Sequence, residues 1–266
     1  MAKPSAAHCN MCCEYCFYSG TNHSNSIRMS DQVLEKYIKN YINSNPQRQI
    51  SFIWQGGEPT LCGLDFFKKA VDFCKKYDIL LCSDMAYSEM TYDGYKAPSF
   101  LEASGAMDVG IETHSLSKTY NMTGWRIGMA VGNADLIGAF GRVKTNIDSG
   151  AFDAIQRAAI TALTGPQDCV AHACAIYQER RDALVAGLQS LGFTVHVPKA
   201  TFYVWMKVNN SVEFTQRMVN EAGIVVTPGT GFGPNGEGYV RFAITRPVER
   251  INEAIARMKE HNITGN

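Results

Sequence analysis

No sign of charge predominates in this 266-residue chain, where 25 lysines and arginines stand against 25 aspartates and glutamates. A formal net charge of zero leaves no overall field to draw the chain to nucleic acid or to an anionic membrane surface, so its expected partners are small molecules or copies of itself. Long apolar runs are missing as well. No stretch approaches the ~18 consecutive apolar residues of a spanning helix, and the opening Met1-Ala2-Lys3-Pro4-Ser5-Ala6-Ala7 lacks the apolar segment of a secretory signal. The expectation is a cytoplasmic protein with neither nucleic acid nor membrane as partner. Internal repeats and low-complexity tracts are also absent. With 45% hydrophobic and 19% charged residues, the composition is that of a globular chain long enough for one large domain or two ordinary ones.

Cysteine, by contrast, is plentiful. Four of the nine crowd between Cys9 and Cys16, and the odd total suits metal ligation in a reducing compartment better than a disulfide framework. Cys62, Cys74, Cys82, Cys169 and Cys174 read as scattered thiols. Cys9, Cys13 and Cys16 stand at the spacing C-x3-C-x2-C, with Tyr15 before the last. Three thiolates on a short loop can hold three irons of a 4Fe–4S cluster and leave the fourth open to a ligand. A zinc site completed by Cys12 or His8 is the competing reading. After a run expected to be a strand, near Gln49 to Trp54, comes Gln55-Gly56-Gly57-Glu58-Pro59. Together these segments resemble the radical S-adenosylmethionine enzymes, most closely the anaerobic sulfatase-maturating type, over residues 1 to about 77. The resemblance implies metal ligation by Cys9, Cys13 and Cys16, and S-adenosylmethionine contacts from Gly56, Gly57 and Glu58. It covers only the first part of that family's barrel.

Hydrophobic periodicity organises the rest. Ser30 can cap a helix through about Asn43, since Val33, Leu34, Tyr37, Ile38, Tyr41 and Ile42 fall on one stripe, and Leu64 to Tyr77 repeats the spacing. From Ile79, short apolar runs at Ile79–Cys82, Val109–Ile111 and Ile127–Val131 alternate with helical stretches, a rhythm that predicts a parallel sheet. Helices are expected over Ala134–Lys144 and Ala151–Leu163. Pro166 and Gly192 bracket a long one from Gln167 to Leu191. A small α/β domain should follow, with strands at Thr194–Val197, Phe202–Lys207, Ile224–Thr227 and Tyr239–Ile244 and helices at Ser211–Ala222 and Val248–Lys259.

One short stretch collects chemistry. Ser115-Leu116-Ser117-Lys118 follows an expected strand and precedes Gly124-Trp125-Arg126-Ile127-Gly128. Strand ends of open α/β sheets are where ligands bind, lysine can form a Schiff base with an aldehyde, and an arginine with two hydroxyls suits a phosphate. Asp84-Met85-Ala86-Tyr87, Ser115 to Lys118, Gly124 to Gly128 and Tyr239-Val240-Arg241 also match, in order, four separated motifs of the class I aminotransferases, and the chain from about Asp78 to Lys259 resembles the LL-diaminopimelate and aspartate aminotransferase type. The resemblance implies pyridoxal 5′-phosphate held by Lys118, which also moves the substrate proton. It implies Asp84 at the pyridine nitrogen, Tyr87 at the ring oxygen, Ser115, Ser117 and Arg126 around the phosphate, and Arg241 on the substrate carboxylate. The family's Gly-rich phosphate loop, stacking aromatic and ring-oxygen Asn have no counterpart in this sequence, which predicts impaired catalysis.

The expected architecture is therefore α/β: a radical-enzyme-like βα fragment over 1–77, a partial aminotransferase large-domain sheet with helices over 78–166, and a linking helix with a small α/β domain over 167–266. The partners implied are an amino acid, a 2-oxo acid and a second copy of the chain in a homodimer.

Overall fold

The computed structural model describes residues 30–44 and 63–265, which fall into two compact units, one ending at Ala173 and the other beginning at Cys174. The strand expected at Gln49–Trp54 lies outside the described residues.

In the first unit, helix α1 (Asp31–Ser44) begins where expected, with the Ser30 hydroxyl accepting from the Val33 N–H at 3.3 Å. Its apolar stripe buries Leu34 and Ile38. Helix α2 (Gly63–Tyr77) ends on Lys75 and Lys76, cations that complement the helix dipole. Val71 and Cys74 of α2 pack against Phe100, Ala103, Ala106 and Val109. The boundary expected at Tyr77–Asp78 is thus no break in packing, because the apolar face of α2 is completed by residues that follow it.

Strands β1 (Leu81–Asp84), β2 (Gly110–Ser115) and β3 (Gly128–Gly132) form a sheet in that order. Between β1 and β2 lie a 3-10 turn, Phe100–Glu102, and the short helix α3 (Ala106–Val109). Strands β1 and β2 are parallel, in a register running from Leu81↔Gly110 to Asp84↔Thr113. Strand β3 departs from the parallel expectation and runs antiparallel to β2, from Ile111↔Gly132 to Ser115↔Gly128. The reason is the connection, which carries only the four-residue α4 (Leu116–Thr119) and a 3-10 turn, Thr123–Trp125, whereas a parallel return needs a crossover that usually holds a full helix. Helix α5 (Ala134–Ile147) is capped by Asn133, whose side chain accepts from the Leu136 N–H at 3.0 Å, and α6 (Asp153–Thr164) follows. Helix α7 (Asp168–Ser190) spans the division between the units.

The second unit adds β4 (Tyr203–Lys207), α8 (Ser211–Asn220), β5 (Thr227–Pro228), β6 (Tyr239–Ala243) and α9 (Val248–Glu260). Its sheet is antiparallel in the order β4-β6-β5. Val204, Met206, Val240 and Phe242 turn to a core shared with Leu184, Leu188, Met218, Ile251 and Met258. The strands expected at Thr194–Val197 and Ile224–Thr227 shrink to a single bridge, Val195↔Met206, and to the two-residue β5. Pro198 follows the first run and lacks the N–H that would extend a ladder, whereas the second run starts late because the Ile224 N–H is taken by the Met218 carbonyl at the end of α8, at 2.8 Å. No helix among the described residues is long and apolar enough to cross a membrane.

Candidate active site

The C-terminal ends of β1 and β2 lie side by side, and they carry the chemistry. Asp84 closes β1 opposite Thr113, whose hydroxyl donates to Asp84 Oδ1 at 3.4 Å. The Met85 N–H then donates to the Thr113 carbonyl at 2.8 Å, so the chain leaves β1 in a turn that keeps Tyr87 at the same edge. Strand β2 ends at Ser115, whose hydroxyl accepts from the Ser117 N–H at 3.3 Å and starts α4. That helix carries Lys118. Its Nζ stands 5.2 Å from the centre of the Tyr87 ring, a cation–π distance, and among the described residues the amine has no hydrogen-bond acceptor or ion-pair partner.

The antiparallel return of β3 brings Arg126 to this edge. The Thr123 hydroxyl donates to the Ser117 carbonyl at 3.0 Å, and Arg126, in the left-handed conformation at φ 54°, donates from its guanidinium to the Thr123 carbonyl at 3.0 Å. Gly128 then pairs with Ser115, and a Cβ there would stand 2.6 Å from the His114 carbonyl oxygen, so only glycine fits. Arg126 is exposed, whereas Ser117 is buried at 4% exposure, which leaves Ser115 as the hydroxyl offered at the edge.

Glu112 escaped the sequence reading. It is 2% exposed, and one carboxylate oxygen accepts from the Ser99 hydroxyl and the Phe100 N–H, both at 2.8 Å. The other lies 3.1 Å from His114 Nε2. Side chains alternate along a strand, so Glu112 and His114 occupy the face of β2 opposite Thr113 and Ser115. The pair therefore ties down the strand whose end presents the lysine. A carboxylate at an otherwise apolar strand position, two residues before a histidine, was the available signal.

Arg241 belongs to the second unit. It sits on β6 between the core residues Val240 and Phe242, opposite Trp205 of β4. Its guanidinium carbon is 3.9 Å from the Tyr203 ring centre and 4.2 Å from that of Phe232. Among the described residues it has no carboxylate or carbonyl partner, so its five N–H donors are open to a ligand.

Residues 60–258 match the family described as aminotransferase class I and II. The chain belongs to that family. It is 52% identical over 216 residues to an LL-diaminopimelate aminotransferase of Moorella thermoacetica, covering 79% of this chain and 55% of that protein. The LL-diaminopimelate aminotransferase of Syntrophobacter fumaroxidans is 54% identical over 199 residues, covering 74% of this chain and 51% of the relative. Among solved structures, apo-BacF from Bacillus subtilis superposes with a TM-score of 0.70 at 37% identity, covering 75% of this chain and 54% of that one. An aminotransferase from Staphylococcus aureus also gives 0.70, at 35% identity, over 77% and 55%. The chain thus spans about half the length of the relatives it matches. The aminotransferase match begins at residue 60, so α2, grouped by sequence with the N-terminal fragment, falls inside it.

The aminotransferase edge can be tested against pyridoxal phosphate, which needs an amine for its aldehyde, an acid at its ring nitrogen and cationic or hydroxyl donors for its phosphate. Among the described residues Lys118 offers an amine without a competing acceptor and Asp84 holds only a long hydrogen bond from Thr113, and Arg126 and Ser115 adjoin the same strand end. These residues fit the group. Cys9, Cys13 and Cys16, with Gly56, Gly57 and Glu58, lie outside the described residues.

Proposed function

We propose that the chain is a pyridoxal-phosphate-dependent aminotransferase, exchanging an amino group between an amino acid and a 2-oxo acid, with LL-diaminopimelate as the donor class. The observation that carries this reading is the Lys118 amine at a strand end, with no hydrogen-bond or ion-pair partner among the described residues, 5.2 Å from the Tyr87 ring and beside the β1 end that carries Asp84. The names of the relatives at 52% and 54% identity support the donor class.

Bound at this edge, pyridoxal phosphate supplies the aldehyde that takes the amino group and a ring that spreads developing negative charge. Asp84 would keep a proton at the pyridine nitrogen, and Tyr87 would hydrogen-bond the ring oxygen. Arg126 and Ser115 would hold the phosphate. Lys118 would anchor the cofactor through its amine and would take and return the proton at the substrate α-carbon. Arg241 grips the α-carboxylate through a planar fork that lysine cannot reproduce. Exposed apolar side chains on α5, Phe140, Val143 and Ile147, support a homodimer as the working form. The iron–sulfur reading draws on no described residue and forms no part of the proposal.

The test is borohydride trapping after incubation with pyridoxal phosphate, followed by peptide mapping, with Lys118→Ala in parallel. A dominant adduct on Lys118, together with 2-oxo acid formation from LL-diaminopimelate that the variant lacks, is expected. Equal labelling spread over surface lysines in both proteins would sink the reading.

A further inference from the structure

The guanidinium of Arg241 is held by rings on the face of the second sheet that turns away from its core. On β4 the core takes Val204 and Met206, which leaves Tyr203 and Trp205 on the other face with Arg241 of β6. Register sets Trp205 directly opposite Arg241 and Tyr203 one diagonal away. Tyr203 supplies one contact to the guanidinium, at 3.9 Å, and Phe232 the other, at 4.2 Å. Trp205 in turn braces Phe232 in an edge-on contact at 5.2 Å between ring centres, with the planes inclined at 69°.

Phe232 reaches this place because its loop closes on itself. The two 3-10 turns, Gly229–Phe232 and Pro234–Gly236, fold so tightly together that a Cβ on Gly229 would collide with the Gly236 carbonyl oxygen, and one on Gly236 with the Gly229 carbonyl oxygen. Two glycines therefore let backbone lie on backbone and carry the phenyl ring over the arginine.

Stacking uses the face of a planar guanidinium and leaves its N–H edge free, and it is this edge that receives a carboxylate in bidentate fashion. A long arginine side chain left loose must be immobilised by its ligand, at a cost of about 0.5–1.5 kcal/mol, which corresponds to roughly two- to tenfold in affinity. We propose that Tyr203 and Phe232 are positioning residues for carboxylate recognition, clamping the Arg241 guanidinium so that its N–H edge is set before the ligand arrives, with Trp205 holding Phe232 in place. The proposal rests on the reading of Arg241 as the carboxylate-binding residue.

The experiment titrates the full chain with succinate, a dicarboxylate that carries neither amino nor oxo group, and follows both the heat of binding and the arginine Nε–H signals by NMR. In the unaltered chain the Arg241 signal is displaced by the ring currents and moves on binding. Tyr203→Leu and Phe232→Leu should each lose that displacement and bind succinate about two- to tenfold more weakly while melting cooperatively. Tyr203→Phe should keep both properties, since it retains the ring. Normal affinity in both leucine variants, beside weakened binding in Arg241→Gln, overturns the clamp and leaves the carboxylate reading standing. Equal binding by Arg241→Gln, or none by the unaltered chain, overturns the carboxylate reading and the clamp with it.

Discussion

Replacing Glu112 with leucine tests the buried support beneath the lysine-bearing strand. The carboxylate is 2% exposed and receives the Ser99 hydroxyl and Phe100 N–H on one oxygen, while the other meets His114. Leucine has no acceptor, so two donors at the start of the Phe100–Glu102 turn lose their partner in a place water reaches poorly. At about 1–3 kcal/mol for each unsatisfied buried donor, the loss should be roughly 3 kcal/mol, because Ser99 is half-buried and part of its bond is recovered from solvent. For a chain of this size that corresponds to a fall of about 6–12 °C in Tm, read by far-UV circular dichroism. Glu112→Gln keeps an oxygen for Ser99 and Phe100 and can offer its amide to the His114 ring nitrogen, so it should cost about 1 kcal/mol or less. A leucine variant within about 0.5 kcal/mol of the parent, the range of an ordinary surface change, would show that Glu112 does not hold this turn to β2.

Two further outcomes follow from other sites. Burial, aided by nearby Lys199, holds the His196 pKa below its ordinary value of 6.5, and its Nε2 has no hydrogen-bond partner among the described residues. A depressed folded pKa means the unfolded chain takes up the proton first, so stability is full above pH 6.5 and falls as pH drops below it; His196→Leu should flatten that part of a pH-dependent melting profile. Burial pushes the Cys74 thiol up to about 11, whereas Cys82 and Cys169 are exposed, so iodoacetamide at mildly alkaline pH should label the latter two and spare Cys74, as read by mass spectrometry.

The helices were the legible part of this fold, because their signals are local. Ser30 caps α1, the stripe through Leu34 and Ile38 buries as its period predicts, and Pro166 and Gly192 bracket α7. Strand direction was not legible, since the run from Ile127 to Val131 reads the same whether it pairs parallel or antiparallel; the short connection through α4 decides it. The candidate residues Lys118, Asp84, Tyr87 and Arg126 stand out only through motifs that resemble a family, and no periodicity would have singled them out. Glu112 stayed hidden because its partners Ser99 and Phe100 are brought to it only by the turn before β2. The rings around Arg241 were hidden for a similar reason, since Tyr203 and Phe232 meet only across strand pairing and a glycine-closed loop.

The antiparallel return of β3 bears on how the first unit assembles. Because β2 runs into α4 and comes straight back, Lys118 and Arg126 lie within one short excursion of the chain, closed by the pairing of Ser115 with Gly128. Contacts so near in sequence carry little loop-closure entropy and form early, whereas a parallel crossover would delay them until distant segments had docked. Lys118 and its neighbouring cation Arg126 thus belong to a hairpin-like unit able to form ahead of the surrounding sheet, so nascent chains would present the lysine edge before the remainder of the unit has condensed.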